Sequence, residues 1–394
     1  MFVIKKRNLL FLLIVTFFLG TLVSLSVVGA VYMLGGGNAL TGAEYVEYAA
    51  FKDKYGKLMA FDDYIHKNYY SDIDEGAMRD GVYKGQFASL GDAYTTYYTA
   101  EEFKRQNERT QGEFSGIGAY LHWNGDGDLA IERVMEGGSA EKAGLASGDV
   151  ILLIDGQSYR EKALAEAAEQ LRGREGTEVA LRIRRGGEEF VVKLKRAKVL
   201  TPSVDGNVRE DGIGYIRLAA FSARTAEDFK AKLAEMEKAR VKGLVVDLRD
   251  NPGGIVEQGV EVANLLLGAG KVATLRYGDG REQVYESQPG GTGLPYAVLI
   301  NKNTASTSEI LAGAIKDNGG GALVGTATTG KGIVQRLEAF RDGDGARITI
   351  AQYFTPDEHP VQGVGISPDF VVEAAADGKS DPQMEKAVEL LKKG

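Results

Sequence analysis

The chain begins with one nearly unbroken apolar block, after which its hydrophobic period changes twice. From Leu9 to Leu34 apolar residues are interrupted only by Thr, Ser, Gly and Tyr32, and Lys5, Lys6 and Arg7 stand in front. As a helix this block reaches about 39 Å, more than the roughly 30 Å hydrocarbon core of a bilayer. The basic flank is expected to stay in the cytoplasm and send the remainder outward. Val28-Gly29-Ala30 also offers a small-residue cleavage site, as in a signal peptide. Signal peptides have apolar regions of only about 7–15 residues, so the length favours an uncleaved anchor.

Beyond Gly35-Gly36-Gly37, residues 43–110 read as helical. Phe51, Leu58, Phe61, Ile65 and Tyr69 recur at helical spacing and form one apolar face. Further helices are expected over Glu75–Leu90 and Ala100–Thr110. They either pack on the rest of the protein or form a dimerisation arm, and a homodimer is the expectation carried forward.

From Phe114 the period becomes two. Short strand patterns at Ala119–Trp123, Leu129–Val134, Val150–Ile154, Glu178–Arg184 and Glu189–Leu194 alternate with glycine-rich turns and two short helical patterns, Ser139–Ala143 and Lys162–Leu171. After Pro202 strands and helices alternate. Strands are expected at Gly212–Ala219, Lys242–Leu248, Tyr296–Ile300 and Ala322–Gly325, and helices at Ala226–Ala239, Val256–Leu267 and Ser308–Asn318. That order indicates an α/β core with ligands at the carboxyl ends of the strands. Met384–Lys393 reads as an amphipathic terminal helix.

Composition narrows the chemistry. A length of 394 residues allows two or three domains, and the net charge of −8 argues against nucleic acid as a partner. With no cysteine there is no disulfide, thiolate nucleophile or zinc–thiolate site, and there are only three histidines, His66, His122 and His359. A covalent hydrolase built on this chain is expected to take its base from elsewhere.

Three loops after core strands carry suitable groups. Ser306, in Asn303-Thr304-Ala305-Ser306-Thr307-Ser308-Glu309, stands where a strand gives way to a helix, whose positive end favours a developing oxyanion. Ser306-x-x-Glu309 also fits a capping box, and Thr304, Thr307 and Ser308 are equal candidates to cap. Lys331, between Gly330 and Gly332, becomes a base only if burial lowers its ordinary value near 10.4. Gln335, four residues on, is expected to share its face and orient it. Gly253, in Asn251-Pro252-Gly253-Gly254, and Thr307 are candidate N–H donors for an oxyanion, although Pro-Gly-Gly is equally a plain turn.

Two resemblances organise these signals. Phe114-Ser115-Gly116-Ile117-Gly118-Ala119, with Gly138-Ser139-Ala140-Glu141-Lys142-Ala143-Gly144-Leu145 and Ser147-Gly148-Asp149-Val150, resembles a PDZ domain. The N–H groups around Gly116, Ile117, Gly118 and Ala119 would then receive a peptide's terminal carboxylate, where the glycines alone mark only a tight turn.

The PDZ pattern is followed by Asp247-Leu248-Arg249-Asp250-Asn251-Pro252-Gly253-Gly254, Ala305-Ser306-Thr307-Ser308-Glu309 and Gly330-Lys331-Gly332-Ile333-Val334-Gln335. In that order the whole resembles the carboxy-terminal processing peptidases, from about residue 50 to the end. The resemblance implies an α/β (α+β) multidomain protein with a ClpP/crotonase-like core and an inserted PDZ domain. It implies a Ser–Lys endopeptidase acting on protein C-termini, with Ser306 rather than Ser308 as nucleophile, Lys331 as base and Gln335 in support. No cofactor or metal is expected. Thr304, Thr307, Thr326, Thr329 and Asp357-Glu358-His359 depart from the family's usual wording.

The expected organisation is a cytoplasmic end at 1–8, anchor 9–34, helical region 35–112, PDZ domain 113–200, protease core 201–375 and terminal helix 376–394. Arg172 and Arg174 either belong to a solvated turn or transmit gating from the PDZ domain. Two rivals stand. Gly325 to Lys331 matches P-loop spacing, but Gly332 occupies the place of the magnesium-binding Ser or Thr. The other is a membrane-tethered PDZ scaffold with an inactive hydrolase domain.

Overall fold

The structure, a computed structural model, describes residues 6–34, 41–160, 162–375 and 380–393. The glycine break after residue 34 and the start of the terminal segment at 376–379 lie outside the described residues. The chain separates into two compact units, divided after Arg79.

In the first unit Lys6–Leu34 is one helix, and its stretch Asn8–Ala30 is long and apolar enough to cross a membrane. A second helix, Gly42–Asn68, starts on a capping box of Thr41 and Glu44. None of its residues is buried, and Phe51, Leu58, Phe61, Ile65 and Tyr69 are all exposed.

The second unit contains the PDZ-like module and the α/β core. Five antiparallel strands, Ala119–Trp123, Leu129–Val134, Val150–Ile154, Glu178–Arg185 and Glu188–Lys195, form the module's sheet in sequence order. With helices Ser139–Lys142 and Leu164–Leu171 they enclose a core that includes Ile131, Ile154, Leu181 and Ile183. A two-stranded stem, Glu113–Gly116 against Ala197–Leu200, closes the insertion.

The core's main sheet has the order Phe370–Val371, Ala322–Gly325, Tyr296–Ile300, Leu244–Asp247, Gly214–Leu218 and Val204–Val208, parallel except for the last pairing. Its buried strands read as continuous apolar runs, as parallel strands covered on both faces do. Helices Thr225–Lys238, Val256–Leu266 and Thr307–Asp317 share one hydrophobic cluster with the sheet. Helix Pro382–Lys393 covers the opposite face through Met384, Ala387 and Val388.

The region 43–110, read as helical, holds the expected helices and also a strand in the gap between the last two. Thr96–Tyr98 is a strand between helices Glu75–Ala88 and Ala100–Gln111, antiparallel to Gly345–Phe354. Its β-branched and aromatic residues suit a pleated surface, and the partner lies almost 250 residues away. A second sheet, which the sequence pattern did not announce, joins this strand to Gly345–Phe354, Gly270–Tyr277, Glu282–Ser287 and Ile333–Ala339.

Arg249 staples the terminal segment to the core. Its guanidinium donates to both oxygens of buried Asp247 (2.7 and 2.9 Å) and both of Asp381 (2.8 and 2.9 Å). Arg249→Met leaves Asp247 buried beside Tyr215 without its cation. It is expected to lower the protection of helix Pro382–Lys393 by about 3 kcal/mol, read by hydrogen exchange. Unchanged protection would mean that apolar packing alone holds the helix.

Candidate active site

Strands Leu244–Asp247, Tyr296–Ile300 and Ala322–Gly325 are parallel neighbours, so the loops after them emerge side by side. The loops are tied to one another and to the sheet by hydrogen bonds. Buried Asn251 donates to the Leu218 carbonyl and its own carbonyl accepts from the Ala305 N–H. This ties the first loop to the second.

The four hydroxyls of the second loop separate cleanly. Thr304 Oγ1 donates to the Leu248 carbonyl at 2.9 Å, Thr307 Oγ1 to the Gly254 carbonyl at 2.9 Å, and Ser308 Oγ to the Asn251 carbonyl at 3.1 Å. Among the described residues only the Ser306 hydroxyl of this set has no hydrogen-bond partner, and Ser306 is the one of the four that is not buried. The threonines at 304 and 307, departures from the family's wording, thus spend their hydroxyls on backbone carbonyls.

Ser306 also has an unusual backbone, φ 58° and ψ −121°. A non-glycine residue in such a region costs about 1–3 kcal/mol and persists only where its surroundings enforce it. The Ser306 N–H donates to Glu309 Oε2 at 2.8 Å, and its carbonyl accepts from the N–H groups of Glu309 and Ile310. Ser306 and Glu309 occupy capping-box positions, but only Glu309's half carries a side-chain bond of good geometry. The Glu309 N–H turns to the Ser306 carbonyl (2.7 Å), and the hydroxyl stays free.

Gly253 lies directly against this residue. A Cβ there would fall 2.8 Å from Ser306 Cβ and 2.9 Å from the Thr307 nitrogen, and φ is +96°. Only glycine fits. The Gly253 N–H donates to Asn251 Oδ1 at 2.9 Å, so that bond must be released before it can serve an oxyanion. The Thr307 N–H, at the start of helix Thr307–Asp317, has no partner among the described residues.

The third loop brings Lys331. Its flanking glycines allow close backbone contact, as a Cβ at Gly332 would sit 2.2 Å from the Gln362 nitrogen. The Lys331 side chain is half-buried. Burial, and then the charge of Arg347, push its amine below the ordinary value, while Glu309 and Asp92 pull it upward. Its Nζ stands 4.8 Å from the centre of the Tyr94 ring, and among the described residues it forms no hydrogen bond to Ser306.

Among the described residues Gln335 forms no hydrogen bond to Lys331 either. Its Nε2 donates to the Ile333 carbonyl at 3.3 Å. The pairing of Ile333–Ala339 with Gly345–Phe354 slips between Val334 and Gln335, a bulge that breaks the simple alternation behind the shared-face expectation.

Glu309 is the residue that sequence reasoning undervalued. Fully buried, it accepts from Thr328 Oγ1 (2.5 Å) and the Gly330 N–H (2.7 Å) on one oxygen, and from the N–H groups of Ser306 (2.8 Å) and Lys331 (2.9 Å) on the other. Buried Tyr353 adds a second tie, its hydroxyl lying 2.8 Å from the Lys331 carbonyl and 3.0 Å from that of Ser306. A lone acid at the head of Ile310-Leu311-Ala312-Gly313-Ala314 was the available signal.

The PDZ-like module has its own groove of about 250 Å³, beside edge strand Ala119–Trp123 and helix Leu164–Leu171. Ile117, Met135, Leu164 and Leu171 make it apolar. The N–H groups of Ile117 and Gly118 have no partner among the described residues, and Gly118 has φ +76°. A larger cavity of about 740 Å³ lies between helix Ala100–Gln111, the stem and the core. Neither Ser306 nor Lys331 lines it; it shares Phe114, Arg172 and Thr201 with the groove. Arg172 is exposed, as the solvated-turn reading expects, and its guanidinium also lies over Phe114 at 5.2 Å.

Comparison with known proteins agrees with this architecture. The PDZ domain model matches residues 107–184, and the peptidase family S41 model matches 212–372. Carboxy-terminal processing protease CtpA of Bacillus subtilis is 32% identical over 94% of this chain and 78% of its own length. The chain belongs to the S41 carboxy-terminal processing proteases. The Probable CtpA-like serine protease of Staphylococcus aureus (strain N315) is 35% identical over 78% of this chain; there the match spans 63% of the relative's length. Among solved structures, the photosystem II D1 C-terminal processing protease is 29% identical, covering 79% of this chain and 86% of its own at TM-score 0.48.

Glu309→Gln is a near-isosteric change that turns one acceptor into a donor facing backbone N–H groups. It is expected to cost about 2–4 kcal/mol in stability and to free the loops of Ser306 and Lys331 together. Thermal unfolding with hydrogen exchange at residues 304–306 and 330–332 checks this. Loss of protection in one loop alone would refute the shared tie.

Proposed function

We propose that the protein is a membrane-anchored endopeptidase using Ser306 as nucleophile and neutral Lys331 as base, and that it acts on proteins held by their carboxyl ends. The observation that carries the reading is the Ser306 hydroxyl, the one free hydroxyl of its loop, at a strained helix start and bound through Glu309 to the loop of a lysine with a depressed amine. An unassisted serine is a poor nucleophile, and removal of its proton by a neighbouring amine supplies what acyl transfer needs.

In the reaction Lys331 takes the Ser306 proton as Oγ attacks the peptide carbonyl. The amine returns that proton to the leaving nitrogen. Water, deprotonated in turn by Lys331, resolves the acyl-enzyme. The Thr307 N–H receives the oxyanion, joined by Gly253 once its bond to Asn251 opens, and Gln335 steadies the amine after local rearrangement at the bulge. Fixed donors in such a position matter because they need no reorganisation as charge develops.

The apolar groove and the free N–H groups of Ile117 and Gly118 support recognition of a peptide C-terminus with an apolar last side chain. Helix Lys6–Leu34 supports an anchor with the catalytic part outside the cytoplasm. The exposed apolar residues of helix Gly42–Asn68 support a homodimer joined through this segment.

Ser306→Ala and Lys331→Ala are each expected to lower kcat/KM by at least about 10³-fold with folding intact. The measurement is degradation of an unstructured protein ending in an apolar residue. Activity should rise with pH through the lowered Lys331 value, because only the free amine accepts the serine proton and burial favours that form. Undiminished cleavage by Ser306→Ala would sink the assignment of the nucleophile, and absence of cleavage by the unmodified protein would favour the inactive-scaffold reading.

A further inference from the structure

The segment between helices Glu75–Ala88 and Ala100–Gln111 joins the antiparallel sheet at its edge as a strap and sets Tyr94 against the lysine amine. It is held along its length. Asp92 accepts from the Tyr94 N–H (2.9 Å) and from Thr95 Oγ1 (2.6 Å), which closes the turn that presents Tyr94. Arg347 Nε donates to the Tyr94 carbonyl at 2.9 Å, and the Thr349 N–H to Thr95 Oγ1 at 3.0 Å. Strand Thr96–Tyr98 then pairs with Gly345–Phe354, and buried Tyr97 donates to Asp344 at 2.7 Å. The half-buried Tyr94 ring is therefore set against Lys331 from both sides.

The groups around the amine act in opposite senses. The Tyr94 ring face, the Asp92 carboxylate and the Glu309 carboxylate favour an ammonium; Arg347 and burial disfavour it. Both carboxylates are tied down, Asp92 within its own turn and Glu309 among backbone N–H groups. The Tyr94 ring face, by contrast, has Lys331 Nζ 4.8 Å from its centre, and no other cation lies over it among the described residues.

We propose that Tyr94 is a positioning residue for Lys331: its ring holds the ammonium away from Ser306, and the strap must withdraw the ring for the amine to reach the nucleophile. This rests on the Ser–Lys reading above. It adds a restraint that comes from outside the α/β core and stabilises the form of lysine that cannot act as a base. The strap leads directly into helix Ala100–Gln111 and so into the PDZ stem, which places the restraint within reach of the peptide-binding module.

The test uses the full chain in detergent and reads the rate of Ser306 phosphonylation by a fluorophosphonate across pH, which reports the free amine without a peptide substrate. Tyr94→Phe keeps the ring and should leave the acid-limb midpoint in place. Tyr94→Leu removes the ring's attraction for the cation, so the midpoint should fall by about 0.4–1 pH units. A merely structural role gives the opposite sign: a loosened strap admits water, solvates the ammonium and raises the midpoint. An unmoved or raised midpoint overturns the proposal. If Tyr94→Leu fails to fold, trifluorophenylalanine at 94 withdraws density from a ring of nearly unchanged shape. Its midpoint should lie below that of Tyr94→Phe, and coincidence of the two overturns the proposal. Lys331→Met separates the premises. If it is phosphonylated with an unchanged pH profile, the Ser–Lys reading is wrong; if it is inert, the Tyr94 comparison stands on its own.

Discussion

The candidate site depends on one buried carboxylate. Glu309 is completely enclosed, and an enclosed carboxylate without partners is among the costliest groups a fold can contain. Its two oxygens are satisfied by donors from two different loops, Ser306 on one side and Thr328, Gly330 and Lys331 on the other. The donors are mostly backbone N–H groups, so the carboxylate fixes where the main chain of each loop runs rather than where a side chain points. Tyr353 repeats the arrangement from the acceptor side, with its hydroxyl between the carbonyls of Ser306 and Lys331. Donors and acceptors of the same two loops are therefore tied to two buried side chains on different elements.

That framework explains why the serine can be both strained and free. The backbone at φ 58° is enforced by the N–H bond to Glu309, by the carbonyl's role in the first helical turn and by Gly253 packed against Cβ. An ordinary helix start would relieve the strain by lending the hydroxyl to a backbone N–H. Here the carbonyl takes the Glu309 N–H instead, and the neighbouring hydroxyls of Thr304, Thr307 and Ser308 go to carbonyls. The consequence is a single hydroxyl without a hydrogen-bond partner in a loop of four. Spacing to Lys331 selected the same residue through resemblance, but it contained no hint of this sorting.

Much of the architecture is legible in the sequence because its signals are local. The PDZ strands alternate, the parallel strands are short apolar runs, and the glycines at 253, 330 and 332 sit where backbones touch. The second sheet is not legible in this way. Glu282–Ser287 and Ile333–Ala339 mix charges with apolar residues, the first largely exposed and the second with no buried residue, while Thr96–Tyr98 is only three residues long and finds its partner across most of the chain. Gln335 shows a subtler limit. Alternation puts it on the face of Lys331, but a bulge two residues beyond the glycine resets the register, and no local feature announces a bulge. Glu309 was visible only as half of a capping box, since the second loop it serves lies more than twenty residues downstream.

The connection between the two outlying segments is itself short and stiff. Helix Ala100–Gln111 begins on a capping box of Thr99 and Glu102, directly after the strap, and ends on Gly112 in the left-handed conformation, directly before the stem. At twelve residues it is about 18 Å long. The far end is clamped, because the Gly112 carbonyl accepts from the Thr201 N–H and a Cβ at Gly112 would fall 2.5 Å from Ser222. The near end is clamped by the strap's pairing with Gly345–Phe354, the strand that also carries Tyr353. With caps at both ends and no glycine inside, this helix has no hinge to absorb a displacement. Stem and strap are thus joined by a rigid rod, one end beside the apolar groove of the PDZ-like module through Phe114 and Arg172, the other presenting Tyr94 to the lysine amine.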